Sequence, residues 1–322
     1  PKPSSAASDV YKRQEYNDGF SYENWGGYNL LVKLNQRNPE VQNYICDVIR
    51  FWVSEFDVDG IRLDAADVLD FDFMRALRRT AAEVKEDFWL MGEVIHGDYS
   101  RWVNNEMLHS VTNYELHKSL YSGFNDHNFF EIAHNVRRLE AIGRQLYTFV
   151  DNHDEDRIAT KLKLREHLFP IYLCLFTLPG IPSVYYGGEW GVEGKRTNTS
   201  DEALRPAISI DQEGELHCEL TDLIAQLGQI HRRQEALHTG RYQELLLTNR
   251  QYAFARHGED SVIIAAVNND DEPASLAIPV PIQASEAVNL LEPGDRLPIS
   301  DGKVHIKLKG NWGAVLKLKG EN

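Results

Sequence analysis

The chain has 322 residues, 42% hydrophobic and 26% charged, proportions that suit a globular protein with room for one large domain and one small one. A formal charge of −15 argues against nucleic acid or an anionic membrane surface as partner, and no apolar run reaches the roughly 18 residues of a membrane span. The three cysteines, Cys46, Cys174 and Cys218, lie too far apart for a Cys-x-x-Cys zinc site or a disulfide framework, a usage that fits a reducing cytoplasm.

The first stretch, PKPSSAASDVYKRQ, lacks periodicity and the apolar centre of a signal peptide. It resembles a translated adapter or assembly leader, with a disordered natural linker as the alternative; residues 1–17 are set aside as this leader. Because the first methionine is Met74, the chain is expected to be a fragment.

From Asn38 the pattern is helical. Asn38 is placed as the N-cap and Pro39 in the first turn. Val41, Ile45, Val48, Ile49, Trp52, Val53 and Phe56 recur at three- and four-residue spacing, which predicts one wide buried stripe with Trp52 in it. FDVDGIRLD reads as a strand, FDFMRALRRTAAEVKE as a helix, and DFWLMGEV as a strand containing Trp89. SVTNYEL reads as a strand, HNFFEIAHNVRRLEAIG as a helix, and LYTFVDNHD as a strand. REHLFPIYLCLFTLP, IPSVYYGGE and ELTDLIAQLGQIHRRQEAL then read as helix, strand and helix.

Strands alternating with helices imply βαβ units and a parallel sheet. The strands end in polar residues: Asp64, Glu93, Glu115, Asp151 to Asp154, and Glu189. Reacting groups gathered at several strand ends favour a (β/α)₈ barrel over an open doubly wound sheet, and no Gly-x-Gly-x-x-Gly follows any strand. Beyond about residue 240, short β-rich runs split by Gly, Asn, Asp and Pro predict a small all-β sandwich or half-barrel. The domains expected are therefore a partial (β/α)₈ catalytic barrel over 18–238 and a β-sandwich over 239–322.

Three acidic strand ends carry the chemistry. In DGIRLDAAD, Arg62 and Asp64 lie two apart on a strand and so point to one side, where a guanidinium would keep Asp64 ionised. A structural ion pair at a strand end is the alternative. Glu93 closes a strongly apolar strand, where partial desolvation would raise a carboxyl toward a general acid's range; an exposed loop glutamate is the plainer reading. Asp151, His153 and Asp154 cluster in FVDNHDEDR, as a metal site, half of a triad, sugar-binding groups or a solvated turn. Two carboxylates across a substrate are what glycoside hydrolysis requires. Gly-x-Ser-x-Gly, His-Glu-x-x-His and Gly-x-x-x-x-Gly-Lys are all absent from the sequence.

Taken in order, DGIRLDAAD, GEV and FVDNHD resemble three sequence regions of the α-amylase superfamily, glycoside hydrolase family 13. LVKLN (Leu31–Asn35) and GEVIH are similar to MPKLN and GEIWH of its neopullulanase and cyclomaltodextrinase branch. The resemblance implies a retaining glycoside hydrolase on α-glucans such as maltodextrin, starch or cyclodextrin. Asp64 would be the nucleophile, Glu93 the acid/base, and Asp154 the carboxylate that holds the sugar's hydroxyls in the transition state. Arg62 would orient Asp64, and His153 would donate to a sugar hydroxyl. His96 would lie on the leaving-group side, and Asp67 would contact substrate from the AAD stretch, where the branch often has VANE. Trp25, with Tyr28, is a candidate sugar-stacking ring.

The resemblance implies no cofactor and no metal in the site, and leaves a structural calcium and the oligomeric state open. An α-glucan transferase and a non-catalytic carbohydrate-binding relative remain the alternatives. The family's first barrel strands have no counterpart ahead of LVKLN, so the 322-residue chain by itself is expected to be poorly stable or inactive.

Overall fold

The computed structural model describes residues 13–16, 19–209, 211 and 213–319. Most of the expected leader lies outside the described residues. Within it, Arg13–Tyr16 (β1) pairs antiparallel with Gly19–Tyr22 (β2). The chain divides into two compact units, one ending at Thr112 and the other beginning at Asn113. The sequence boundary expected near residue 238 falls inside the second unit.

In the first unit, Asn24–Trp25 (β3) and Tyr28–Val32 (β4) make a hairpin. Helix α1, Pro39–Phe56, starts as expected: the Asn38 side chain accepts the Glu40 N–H and Pro39 fills the first turn. It packs on α2, Phe71–Val84, whose N-cap Asp70 accepts the N–H groups of Asp72 and Phe73. The wide buried stripe expected of α1 is narrower. Val41, Cys46 and Ile49 are buried, whereas Trp52 is 42% exposed; within its unit α1 packs chiefly against α2.

Gly60–Leu63 (β5), Trp89–Gly92 (β6) and Ser110–Val111 (β7) form a parallel sheet in that order, with Arg62 opposite Met91 and Leu63 opposite Gly92. The expected strand SVTNYEL stops after two residues. Asn113 caps a helix instead, its side chain accepting the Leu116 N–H, and α3 runs Tyr114–Asn125. Glu115 therefore lies in a helix's first turn rather than at a strand end.

In the second unit, α3 and α4 (Phe129–Arg138) pack together, and Tyr147–Phe149 (β8) pairs in parallel with Ile181–Ser183 (β9). Between those strands lie a short helix α5, Ile158–Lys161, and the apolar helix α6, Leu168–Thr177. After β9 come α7, Glu219–Arg233, and α8, Glu235–His238.

The C-terminal region is an antiparallel sheet of eight strands: β10 (Arg241–Leu247), β11 (Gln251–His257), β12 (Val262–Asn268), β13 (Ala274–Pro279), β14 (Glu286–Asn289), β15 (Arg296–Ser300), β16 (Lys303–Leu308) and β17 (Trp312–Lys319), in the order 10-11-12-17-14-15-16-13. Its end strands β10 and β13 (Ala274–Pro279) lie against each other. Alternating residues fill its inner face; Leu276, Ile278, Val304, Ile306 and Leu308 belong to one core. The other face of β12 (Val262–Asn268) and of β17 packs on α6, so one apolar cluster runs from α3 through α6 and α7 into the sheet. Buried Arg256 joins these layers, donating to the Thr177 carbonyl at the end of α6 and to the Gly240 carbonyl.

Candidate active site

In the first unit, two carboxylates share one guanidinium at the ends of adjacent parallel strands. Arg62 reaches Asp64 Oδ1 at 2.8 Å through Nη1 and Glu93 Oε2 at 3.1 Å through Nη2. Asp64 stands just past the end of β5 and Glu93 just past the end of β6, positions aligned by the register of the two strands. The two differ in surroundings: the Asp64 side chain is 81% exposed, the Glu93 side chain only 12%.

The chain then turns sharply at Ala65, which adopts a left-handed backbone (φ 43°). That turn aims the Ala65 N–H at Glu93 Oε2, 3.1 Å away, and the Ala66 N–H at the Glu93 carbonyl, 2.8 Å away. Gly92 makes the close approach feasible. A Cβ there would come within 2.5 Å of Leu108 and 2.8 Å of Ala66. Glu93 is thereby fixed by backbone and cation together, with its carboxylate directed to the strand ends.

The second group lies in the second unit, at the end of β8. His153 Nε2 lies 2.9 Å from Asp154 Oδ2. Asp154 Oδ1 accepts from Arg205 Nη2 at 3.0 Å, and Arg196 Nη2 lies 3.6 Å away. Arg205 also donates through Nε to the His153 carbonyl, so it grips the turn by side chain and backbone at once. Asn152 holds the turn by accepting the Asp154 N–H at 2.9 Å and donating to the Tyr114 hydroxyl at 3.1 Å. Tyr185 presents its ring 6.5 Å from that of His153.

Next to Asp154, Glu155 pairs with Lys161 and with buried His117. Its pKa falls to about 2, because the hydrogen bonds and charges of His117 and Lys161 outweigh the opposing effect of burial.

Sequence reasoning takes Arg62 with Asp64, Glu93, and His153 with Asp154 as three strand ends serving one site; the structure brings Arg62, Asp64 and Glu93 together within the first unit and His153 and Asp154 together within the second. Sequence reasoning missed Arg196, Arg205 and Tyr185. The loop GKRTNTSDEALRP carries two arginines ahead of a proline, the one local sign that it could face acidic groups.

The remaining candidates stand apart from those contacts. Asp67 sits exposed on the 3₁₀ turn Ala66–Val68 that follows Asp64, and His96 is exposed beyond β6. Trp25 is exposed on the β3–β4 hairpin, stacked on Tyr28 with centroids 5.9 Å apart. Beside the segment after Asp67 opens a cleft of about 300 Å³, bounded by Glu23, Lys33, Asn35, Arg37, Asp70 and Phe71. Among the described residues, no three His, Cys, Asp or Glu side chains gather as a metal cluster, and no helix is long and apolar enough to cross a membrane.

The family model described as alpha amylase, catalytic domain, matches residues 12–236. A cyclomaltodextrinase of Thermoanaerobacter pseudethanolicus is 29% identical over 252 residues, 75% of this chain and 42% of that protein. Neopullulanase 2 of Thermoactinomyces vulgaris is 29% identical over 296 residues, 89% of this chain and 49% of that protein. The chain thus spans about half the length of the curated relatives it matches. Among solved structures, an Anoxybacillus alpha-amylase aligns at a TM-score of 0.79 with 26% identity, covering 91% of this chain and 66% of that one.

Proposed function

The chain belongs to the alpha-amylase catalytic-domain family, and from that premise we propose that its gene product is a retaining glycoside hydrolase acting on α-1,4-linked glucans, maltodextrin or cyclodextrin. The observation that carries the reading is the single Arg62 guanidinium held between Asp64 and Glu93. Two carboxylates on neighbouring strand ends, joined by one cation, can serve as the pair that glycoside hydrolysis requires, and the family resemblance supports the retaining form of that chemistry.

In this reading exposed Asp64 attacks the anomeric carbon, with Arg62 keeping its oxygens aimed. Glu93, largely sheltered, protonates the departing glycosidic oxygen and later takes the proton from the attacking water. For Asp154 and His153, in the second unit, the family resemblance supports the role of holding sugar hydroxyls. Asp67, His96 and Trp25 are assigned to the more distant sugar units. The cleft beside Asp70 is assigned to the acceptor side, because its polar and charged lining can meet sugar hydroxyls.

The chemistry needs no cofactor, because carboxylates supply both nucleophile and proton. Residues 18–238 are read as part of a (β/α)₈ barrel, supported by the parallel ladders β5–β6–β7 and β8–β9. Three free cysteines support a cytoplasmic setting.

Glu93→Gln in the complete gene product tests the assignment. It retains the shape and removes the proton donor, so turnover of a maltooligosaccharide falls by about 10²–10⁴ while substrate binding persists. Unchanged turnover overturns the reading. Product analysis separates the outcomes for the intermediate: water gives shorter sugars only, and a sugar acceptor gives some longer than the substrate.

A further inference from the structure

Beneath the Asp154 turn lies an arginine that the proposed chemistry does not use. Arg157 is fully buried, as is Asp151 beside it, with Nε 3.5 Å from Asp151 Oδ2. Asp151 Oδ2 also accepts the Ile158 N–H at 2.9 Å, so the turn that carries His153 and Asp154 is closed at its base by this carboxylate. The guanidinium reaches out of that turn. It donates to the Tyr186 carbonyl, and its carbon lies 4.5 Å from the Tyr185 ring centroid and 5.6 Å from that of Tyr186. The Arg157 N–H donates to the Gly194 carbonyl at 2.9 Å.

The segment so engaged follows β9 and continues to Arg196 and Arg205, the two cations on Asp154. It is seated tightly: a Cβ at Gly187, whose φ is +82°, would come within 2.8 Å of Arg157 Nη2. A second tie, from the Arg196 N–H to Asp156 Oδ1 at 2.7 Å, runs alongside.

A buried ion pair is a poor device for stability alone, since apolar replacements of similar volume are often neutral or better. The pair closes the 151–158 turn on itself, while Arg157's further bonds to the Tyr186 and Gly194 carbonyls reach the other loop. We propose that Arg157 is a positioning residue: it locks the Asp154 turn to the Tyr185–Arg205 loop, and so sets the geometry in which Asp154 meets the sugar in the transition state. This rests on the reading of Asp154 given above. A displacement of about 1 Å at a reacting group can cost on the order of 10²-fold in rate.

The test compares the unsubstituted protein with Arg157→Met and Arg157→Lys by two measurements. The first is amide hydrogen exchange over 151–158 and 185–205, with the eight-stranded sheet as internal reference. The second is kcat and KM on a maltooligosaccharide, scaled to the folded fraction. Arg157→Met is expected to loosen both loops together while the sheet is unchanged. It is also expected to lower kcat per folded molecule at least about tenfold, with KM altered much less, and Arg157→Lys is expected to recover part of the loss.

A lower melting temperature with kcat per folded molecule unchanged overturns the proposal, as does loosening of one loop only. If Arg157→Met does not fold, Arg157→Lys and Gly187→Ala carry the same comparison. If the unsubstituted protein turns over no faster than Glu93→Gln, the hydrolase reading has failed on its own. Linked loosening of both loops then still supports the tie, and its absence overturns it.

Discussion

Helix α6 buries every residue from Leu168 to Thr177 except Phe169, which is partly covered, whereas α1 buries Val41, Cys46 and Ile49 and leaves Tyr44, Phe51, Trp52 and Phe56 exposed. α6 is apolar nearly throughout, and α1 carries an apolar stripe among polar residues. α6 lies among α7, β12 and β17 in the second unit, and α1 packs chiefly on α2 in the first. The contrast separates two kinds of information. A period of three and four residues states that a helix has an apolar stripe; only its long-range neighbours state how much of the stripe is covered.

Substitutions on the two helices sharpen that contrast. Ile171→Ala, at a fully buried site of α6, should lower unfolding free energy by about 2–5 kcal/mol, seen as an earlier denaturant midpoint. A loss below about 1 kcal/mol would mean that the cluster collapses around the cavity.

Arg256→Met is expected to cost about 2–3 kcal/mol, because it strips the Thr177 and Gly240 carbonyls of their donor in a site where burial already pulls the guanidinium pKa down to about 10. Stability equal to the parent would show that water replaces the donor.

Acid should act on the second unit through His167, which is buried, and whose pKa burial lowers to about 4. His127 opposes its protonation, while Asp271, Glu166 and Asn311 favour it. The folded pKa lies below the ordinary value of 6.5, so the unfolded chain binds the proton more readily. The contribution is complete above about pH 6.5 and is lost as pH falls toward 4, on the order of 3 kcal/mol at most. His167→Gln should flatten that acid limb of the stability profile; an unchanged limb assigns it elsewhere. His109 in the first unit, likewise lowered to about 4, gives the same sign there.

The smallest effect belongs to α1. Phe51→Ala, half exposed and meeting the Phe56 ring edge-on, should shift stability by no more than about 0.5 kcal/mol. A loss comparable to Ile171→Ala would break the contrast between the two helices.

Much of the site was readable because its signals are local. Arg62 and Asp64 share a strand face by their spacing of two, and Glu93 follows an apolar run that reads as a covered strand. SVTNYEL misled because Ser110, Val111 and Thr112 favour a strand, while Asn113 ahead of Tyr-Glu-Leu is the cap that starts α3. The tie made by Arg157 had no local signature. In EDR it reads as one more turn charge, and its burial depends on Tyr185 and Tyr186, nearly 30 residues away. Arg205 reaches Asp154 across a separation of 51 residues for the same reason.

The left-handed backbone at Ala65 sets two selective pressures against each other. A residue with a Cβ held at φ 43° costs about 1–2 kcal/mol that glycine avoids. Yet this constrained turn is what presents an N–H to the Glu93 carboxylate, and glycine would give that stretch more ways to move. A laboratory evolution campaign scored on melting temperature alone is drawn to glycine at position 65, and one scored on turnover is held at alanine.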